Sequence, residues 1–187
     1  RFKCDWSSDV CSSDLKALTS AYFPLSALVI SGEIYRVIES QSSRQGVLAH
    51  GFTYGGHPTG CAVALETLRI YEEDQIVSRV RERATQFASR MEKLNTHPLV
   101  GEVRACGLMG ALEIVSDKSA KTPLRRAADF GQMIVERAYH HGLITRFTGN
   151  TLNLVPPLVI SASDLDEIFA RVTQVLDDAA ADAPHFM

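Results

Sequence analysis

The chain has 187 residues, a formal net charge of −3 and an apolar fraction of 45%. That size and composition fit one globular domain or a small pair, and the charge gives no electrostatic reason to expect nucleic acid or an anionic membrane as partner. The longest apolar run, Phe23 to Ile30, is broken by Ser26 and is too short to span a bilayer.

Residues 1–15, RFKCDWSSDVCSSDL, lack an initiator Met and carry a near-repeat, SSDV then SSDL. No helical or strand periodicity runs through them. The segment reads as translated sequencing adaptor, with a native Ser/Asp-rich linker as the alternative, and is set aside from fold reasoning; it has no apolar core of a signal peptide. Two cysteines remain beyond it, Cys61 and Cys106, with no CxxC partner or metal-ligand spacing. A reduced, cytoplasmic protein without disulfides is the expectation.

Leu25 to Ser31 reads as a buried strand, and Gly32 to Ile38 as a short helix. Gln41 to Gly46 is polar and reads as a loop. After Pro58 the apolar positions Ala62, Leu65, Leu68, Ile70 and Tyr71 fit a helix with proline in its first turn. Asp74 marks a break. Ile76 to Leu94 is helical, with Val77, Val80, Ala84, Phe87, Met91 and Leu94 on one stripe. His97-Pro98 is a stop signal.

Val100 to Arg104 and Leu108 to Val115 read as strands parted by Gly107. Leu124 to His141 reads as a helix capped by Gly142. Leu143 to Arg146 and Leu152 to Val155 form a predicted hairpin around Gly149-Asn150. Ser163 is the expected N-cap of a helix over Leu165 to Asp178, with Asp166 completing a weak capping box. The tail from Ala179 reads as frayed. Strand and helices thus precede an α+β unit with helices on one face of a small antiparallel sheet.

Lys16 stands alone among small, hydroxylated and apolar residues in KALTSAYFPLSA. Desolvation lowers an ammonium pKa, and the neutral amine is the nucleophile towards a carbonyl. Downstream, HGFTYGGHP (His50 to Pro58) is a Gly-rich turn feeding a helix. Hydroxyl and N–H donors near a helix start suit a phosphate dianion. Together the two stretches resemble the signature of the class III (ω-) aminotransferases, AKGLTSGYxPLGA followed by HGFTYSGHP. These are pyridoxal-phosphate enzymes of fold type I, an α/β class.

The resemblance implies a truncated member of that fold. Residues 16–75 would be the carboxyl-terminal part of the large cofactor domain, and 76–187 the small α+β domain. Lys16 would anchor the cofactor as a Schiff base and then shuttle a proton during amino transfer. Phe52 and Thr53 would bind the cofactor phosphate of the neighbouring subunit, which implies a homodimer. Arg146, before Phe147-Thr148-Gly149-Asn150 and Val155-Pro156-Pro157-Leu158, matches the arginine that takes the substrate carboxylate. Arg104 reads as structural, as do His50 and His57, which would tie down the turn. His140-His141 lacks partners at metal-ligand spacing, so no metal is expected.

Three positions depart from the family glycines: Ala17, Ala21 and Ser26. Where a family glycine has positive φ, alanine costs about 1 kcal/mol. The implied reaction moves an amino group from an amine or ω-amino acid to a keto acid such as pyruvate. Other members act on 4-aminobutyrate, ornithine or diaminopelargonate, and one is a glutamate-semialdehyde aminomutase. Racemisation or decarboxylation on the same fold is a further alternative. A different expectation is that the fragment alone is inactive, because groups that pair with the pyridine nitrogen should precede Lys16 and the strand near Val29 would have open edges.

Overall fold

The computed structural model describes residues 13–14, 16–48 and 51–186. The chain divides into two compact units, Arg1–Asp74 and Gln75–Met187.

In the first unit, β1 (Ser13–Asp14) pairs antiparallel with β2 (Leu28–Val29). A 3-10 turn over Lys16–Thr19 lies between them. Then follow α1 (Gly32–Gln45) and α2 (Pro58–Glu73). Ser31 caps α1: its Oγ accepts from the Ile34 amide at 3.3 Å, relieving one of the unpaired N–H groups of a helix start. Proline occupies the first turn of α2, where no N–H is required.

Two sequence expectations fail here. The strand expected over Leu25 to Ser31 is only Leu28–Val29, and both residues are exposed rather than buried. The loop expected over Gln41 to Gly46 is helical to Gln45. Among its described residues α1 buries none, so beyond the first half read from sequence no apolar stripe marks its continuation to Gln45. The serines of its polar end turn their hydroxyls back on the preceding turn, as Ser42 Oγ does to Ile38 O at 2.9 Å, which satisfies the hydroxyls without adding helix stability.

The second unit holds the main core. Its elements are α3 (Ile76–Leu94), β3 (Val100–Cys106), β4 (Met109–Asp117), β5 (Thr122–Pro123), α4 (Ala127–His140), β6 (Arg146–Thr148), β7 (Thr151–Leu154) and α5 (Ala162–Asp182). The sheet order is β3-β4-β7-β6, all antiparallel, with β5 on the other end of β4. Gly107 (φ 59°) and Gly149 (φ 60°) occupy the two hairpin turns with the left-handed backbone that glycine tolerates.

Phe87 and Met91 of α3, Leu112 and Ile114 of β4, Phe130 and Ile134 of α4, Leu152 of β7 and Leu165, Val172 and Leu176 of α5 are all fully buried in one cluster. Close approach has a visible cause at Gly110. A Cβ there would meet Phe87 Cζ at 2.7 Å and Met91 Cε at 2.8 Å, so the bare backbone of β4 admits both α3 side chains.

Boundaries shift where tertiary contacts outweigh local signals. The helix expected from Leu124 starts at Ala127. The hairpin strand expected to end at Arg146 begins there. Ser161, not Ser163, is the N-cap of α5, its Oγ accepting from the Asp164 amide at 3.0 Å. The tail is not frayed: α5 runs to Asp182, and a 3-10 turn over Ala183–Phe186 follows. Ala179 and Ala183 are fully buried and Phe186 stands edge-on to Phe130 at 5.5 Å, so apolar contacts order it.

Candidate active site

Lys16 opens the 3-10 turn of the first unit. That turn packs against α2. Thr19, at its end, is fully buried; its hydroxyl donates to Phe23 O at 2.6 Å, and Tyr22 N donates to Thr19 O at 3.0 Å. These bonds fold the chain back on itself and deliver Phe23 to the amino end of α2. There the ring meets Gly60, where a Cβ would stand only 2.8 Å from Phe23 Cε1. It also lies 5.3 Å from the His57 ring, centroid to centroid.

The Gly-rich stretch arrives at the same helix end. Gly55 N donates to Phe52 O at 2.8 Å and His57 N to Tyr54 O at 3.2 Å, giving two successive turns. Gly56 sits at φ 69°, where a side chain would be strained. His57 is the residue before Pro58, and its ring lies 5.9 Å from Tyr54. His57 is thus wedged between Phe23 and Tyr54, which agrees with the structural role read from sequence. His50 lies outside the described residues.

Phe23 therefore brings the lysine stretch and the Gly-rich turn together. The sequence reading missed it, although an aromatic followed by Pro24 in a motif otherwise rich in small residues was the available signal. The turn has polar capacity left over. The Thr53 hydroxyl and amide have no partner among the described residues, and the buried Nδ1 of His57 has none either. Two uncommitted donors ahead of a sixteen-residue helix fit a phosphate monoester chemically.

Ala21 has φ 65° and Ser20 φ 48°. The position where the family carries glycine in place of Ala21 is thus one that needs a left-handed backbone. Ser26 does not share this property, since its φ is not positive.

In the second unit, Arg146 starts the edge strand β6 and is exposed. Its guanidinium has no protein partner among the described residues. It lines an open cavity of about 640 Å³ with Ile144, Thr145, Thr148, Asn153 and Val155. Arg104 is placed differently. It pairs with Glu102 at 2.7 Å and Glu113 at 3.0 Å, and these carboxylates raise its pKa further. A guanidinium already shared by two carboxylates has little left for a ligand, whereas that of Arg146 is open to one.

Among the described residues no group of His, Cys, Asp and Glu is placed to hold a metal ion. His141 pairs with Asp178 at 2.7 Å. Cys61 and Cys106 are free thiols. No helix among the described residues is long and apolar enough to cross a membrane.

The class-III aminotransferase profile matches residues 3–176. The chain belongs to the class-III aminotransferases. The match begins inside the segment set aside in the sequence reading. Over 163 residues, 87% of the chain, it is 37% identical to gamma aminobutyrate transaminase 3, chloroplastic, of Solanum lycopersicum, and covers 31% of that protein. It is 40% identical over 169 residues to the putrescine–pyruvate aminotransferase of Pseudomonas aeruginosa, covering 89% of the chain and 36% of the relative. The omega transaminase of Pseudomonas jessenii in complex with PMP superposes with a TM-score of 0.83 at 37% identity, over 89% of this chain and 37% of that one. The chain thus spans about a third of the length of these class-III relatives.

Proposed function

We propose that this chain carries the covalent-anchor lysine, the phosphate turn and the carboxylate-binding arginine of a pyridoxal-phosphate-dependent ω-aminotransferase. The reading transfers an amino group from an amine or ω-amino acid to a keto acid such as pyruvate. One observation carries it. In a class-III aminotransferase chain, Phe23 joins the Lys16 stretch and the Thr53 turn at one end of α2. In this reading residues 16–75 belong to the large cofactor domain and 76–187 to the small domain.

When bound, pyridoxal phosphate supplies the electron sink that stabilises charge on the substrate α-carbon. The chain's own residues do the rest. Lys16 Nζ would hold the cofactor, and as a free amine would move the α-proton as general base. Thr53 donates its hydroxyl and amide to the phosphate, beside Phe52, and serves the neighbouring subunit of a homodimer. Arg146 clasps the substrate carboxylate bidentately, while Ile144 and Val155, 90% and 69% exposed, flank it with apolar surface that a simple amine donor can cover. The cytoplasm is the proposed compartment.

The test is an assay of the whole protein with 4-aminobutyrate or putrescine as donor and pyruvate as acceptor. Alanine should form, and Lys16→Ala should lower the rate by more than about 100-fold. A cofactor-loaded protein that makes no alanine from any amine donor would overturn the reading. Light scattering should give twice the subunit mass.

A further inference from the structure

The guanidinium of Arg146 has no partner among the described residues, and its strand lies at the sheet edge, paired only with β7. A long side chain with that much freedom binds a carboxylate weakly unless something else fixes where it starts. The register shows what does. Arg146 and Asn153 are direct cross-strand partners, as are Thr148 and Thr151. Side chains alternate along a strand, so these four share one face, and Phe147 with Leu152 takes the other. Leu152 is fully buried and Phe147 packs on the core, so the Arg146–Asn153 face is the one open to the cavity.

Asn153 is also bonded across that face. Its Nδ2 lies 3.3 Å from Arg146 O, 3.3 Å from Thr151 O and 3.5 Å from Thr148 Oγ1. Its own carbonyl accepts from Thr145 Oγ1 at 2.6 Å, on the residue preceding the arginine. The side-chain amide thus ties the backbone on both sides of the turn to the first residue of β6. Its Oδ1 takes no partner among the described residues, leaving an acceptor on the cavity wall within cross-strand reach of the guanidinium, about 5 Å between Cβ atoms.

We infer that Asn153 is a positioning residue for Arg146, holding the start of β6 so that the arginine meets a substrate carboxylate. The inference rests on the proposed role of Arg146, and its consequence is selective. Asn153 should matter for ligands that bear a carboxylate and not for amines that lack one. A polar residue on a short strand needs no such role to be tolerated; the paired bonds to Arg146 O and from Thr145 Oγ1 give it one.

The experiment compares Asn153→Leu, Asn153→Asp and Arg146→Ala with wild type in the whole protein. Binding of pentanoate, a carboxylate with no reacting amine, is measured by calorimetry, and turnover of 4-aminobutyrate is set against that of butylamine. Leucine retains bulk and strand propensity. Asn153→Leu should weaken pentanoate binding about five- to tenfold, the worth of one hydrogen bond, and raise the KM for 4-aminobutyrate relative to that for butylamine by the same factor. Asn153→Asp should weaken both more, because its carboxylate competes for the guanidinium. Equal losses for both amines would reduce Asn153 to a folding residue and overturn the inference, as would no change in either variant. If Arg146→Ala leaves the carboxylate preference intact, it is the proposed role of Arg146 that fails, and the inference falls with it.

Discussion

At the scale of single residues, the lysine stretch carries a cost that the sequence flagged only conditionally. Alanine at position 21 is strained only if the backbone there is left-handed, and it is, with φ 65°. Such a conformation costs an L-residue about 1 kcal/mol that glycine avoids. Ala21→Gly should therefore stabilise the first unit by up to about 1 kcal/mol, less the entropy glycine returns to the unfolded chain. Melting curves of the two proteins, followed by tyrosine fluorescence, check this, since four of the five tyrosines (Tyr22, Tyr35, Tyr54 and Tyr71) lie in the first unit; a lowered midpoint would mean that Ala21 is not strained. Gly131 presents the opposite case. Glycine inside a helix normally costs about 0.5–1 kcal/mol relative to alanine. In α4 a Cβ at Gly131 would overlap the ring of Phe147, the core-facing residue next to Arg146. Gly131→Ala should thus destabilise by ~1–3 kcal/mol despite its better propensity, read from the denaturant midpoint. A stabilised variant would mean that the ring moves aside freely.

At the scale of elements, the link between α3 and β3 is held by a histidine whose proton is fixed by its neighbours. His97 Nδ1 accepts from the Leu99 amide at 3.2 Å, so that nitrogen must be unprotonated. Nε2 faces Asp177 of α5 at 3.4 Å, and the Lys118 ammonium donates to His97 O at 3.1 Å. Burial lowers the His97 pKa; Asp177 pulls it back up, and Lys118 adds to the lowering. The unfolded chain then binds a proton more readily than the folded one. Stability should be level above the unfolded value of about 6.5, fall as pH drops below it, and level off again below the depressed folded pKa. His97→Asn, which keeps an acceptor near the Leu99 amide, should flatten that slope in thermal melts taken from pH 8 to 5; an unchanged slope would assign the effect to other groups. Nothing in the bare spacing of His97-Pro98 announced this clasp. What the sequence did make legible was the strongly periodic α3, whose bounds fall at Ile76–Leu94 as expected, the two hairpins around Gly107 and Gly149-Asn150, and the class-III motifs. What it concealed depends on packing between distant segments. The order of the tail comes from Phe186 against Phe130, the role of Phe23 from a glycine on another element, and the setting of Asn153 from strand register, none of which leaves a local signal.

At the scale of the whole molecule, the two units differ in what holds them. The second contains a continuous core from α3 through α5, with side chains from three helices and the sheet fully buried among the described residues. The first buries few side chains among those described, chiefly Thr19, Ala64 and Thr67. It exposes large apolar groups instead: Leu28 at 66%, Tyr35 at 56%, Val37 at 57% and Leu65 at 69%. Burial contributes about 25 cal/mol per Å² of apolar surface, so elements that bury little have little to offset their ordering entropy, which is about 1–2 kcal/mol per residue. Local opening free energy should therefore differ sharply between the units. In native-state hydrogen exchange on this chain, the amides of β4, β7 and α5 should exchange slowest and together, at the rate of global unfolding of their unit. Those of α1, which buries no described residue, should exchange within a few decades of the unprotected rate. Equal protection in α1 and α5 would show that the first unit draws stability from contacts of a different kind, and would move the weak point of the fold away from the segment that carries Lys16.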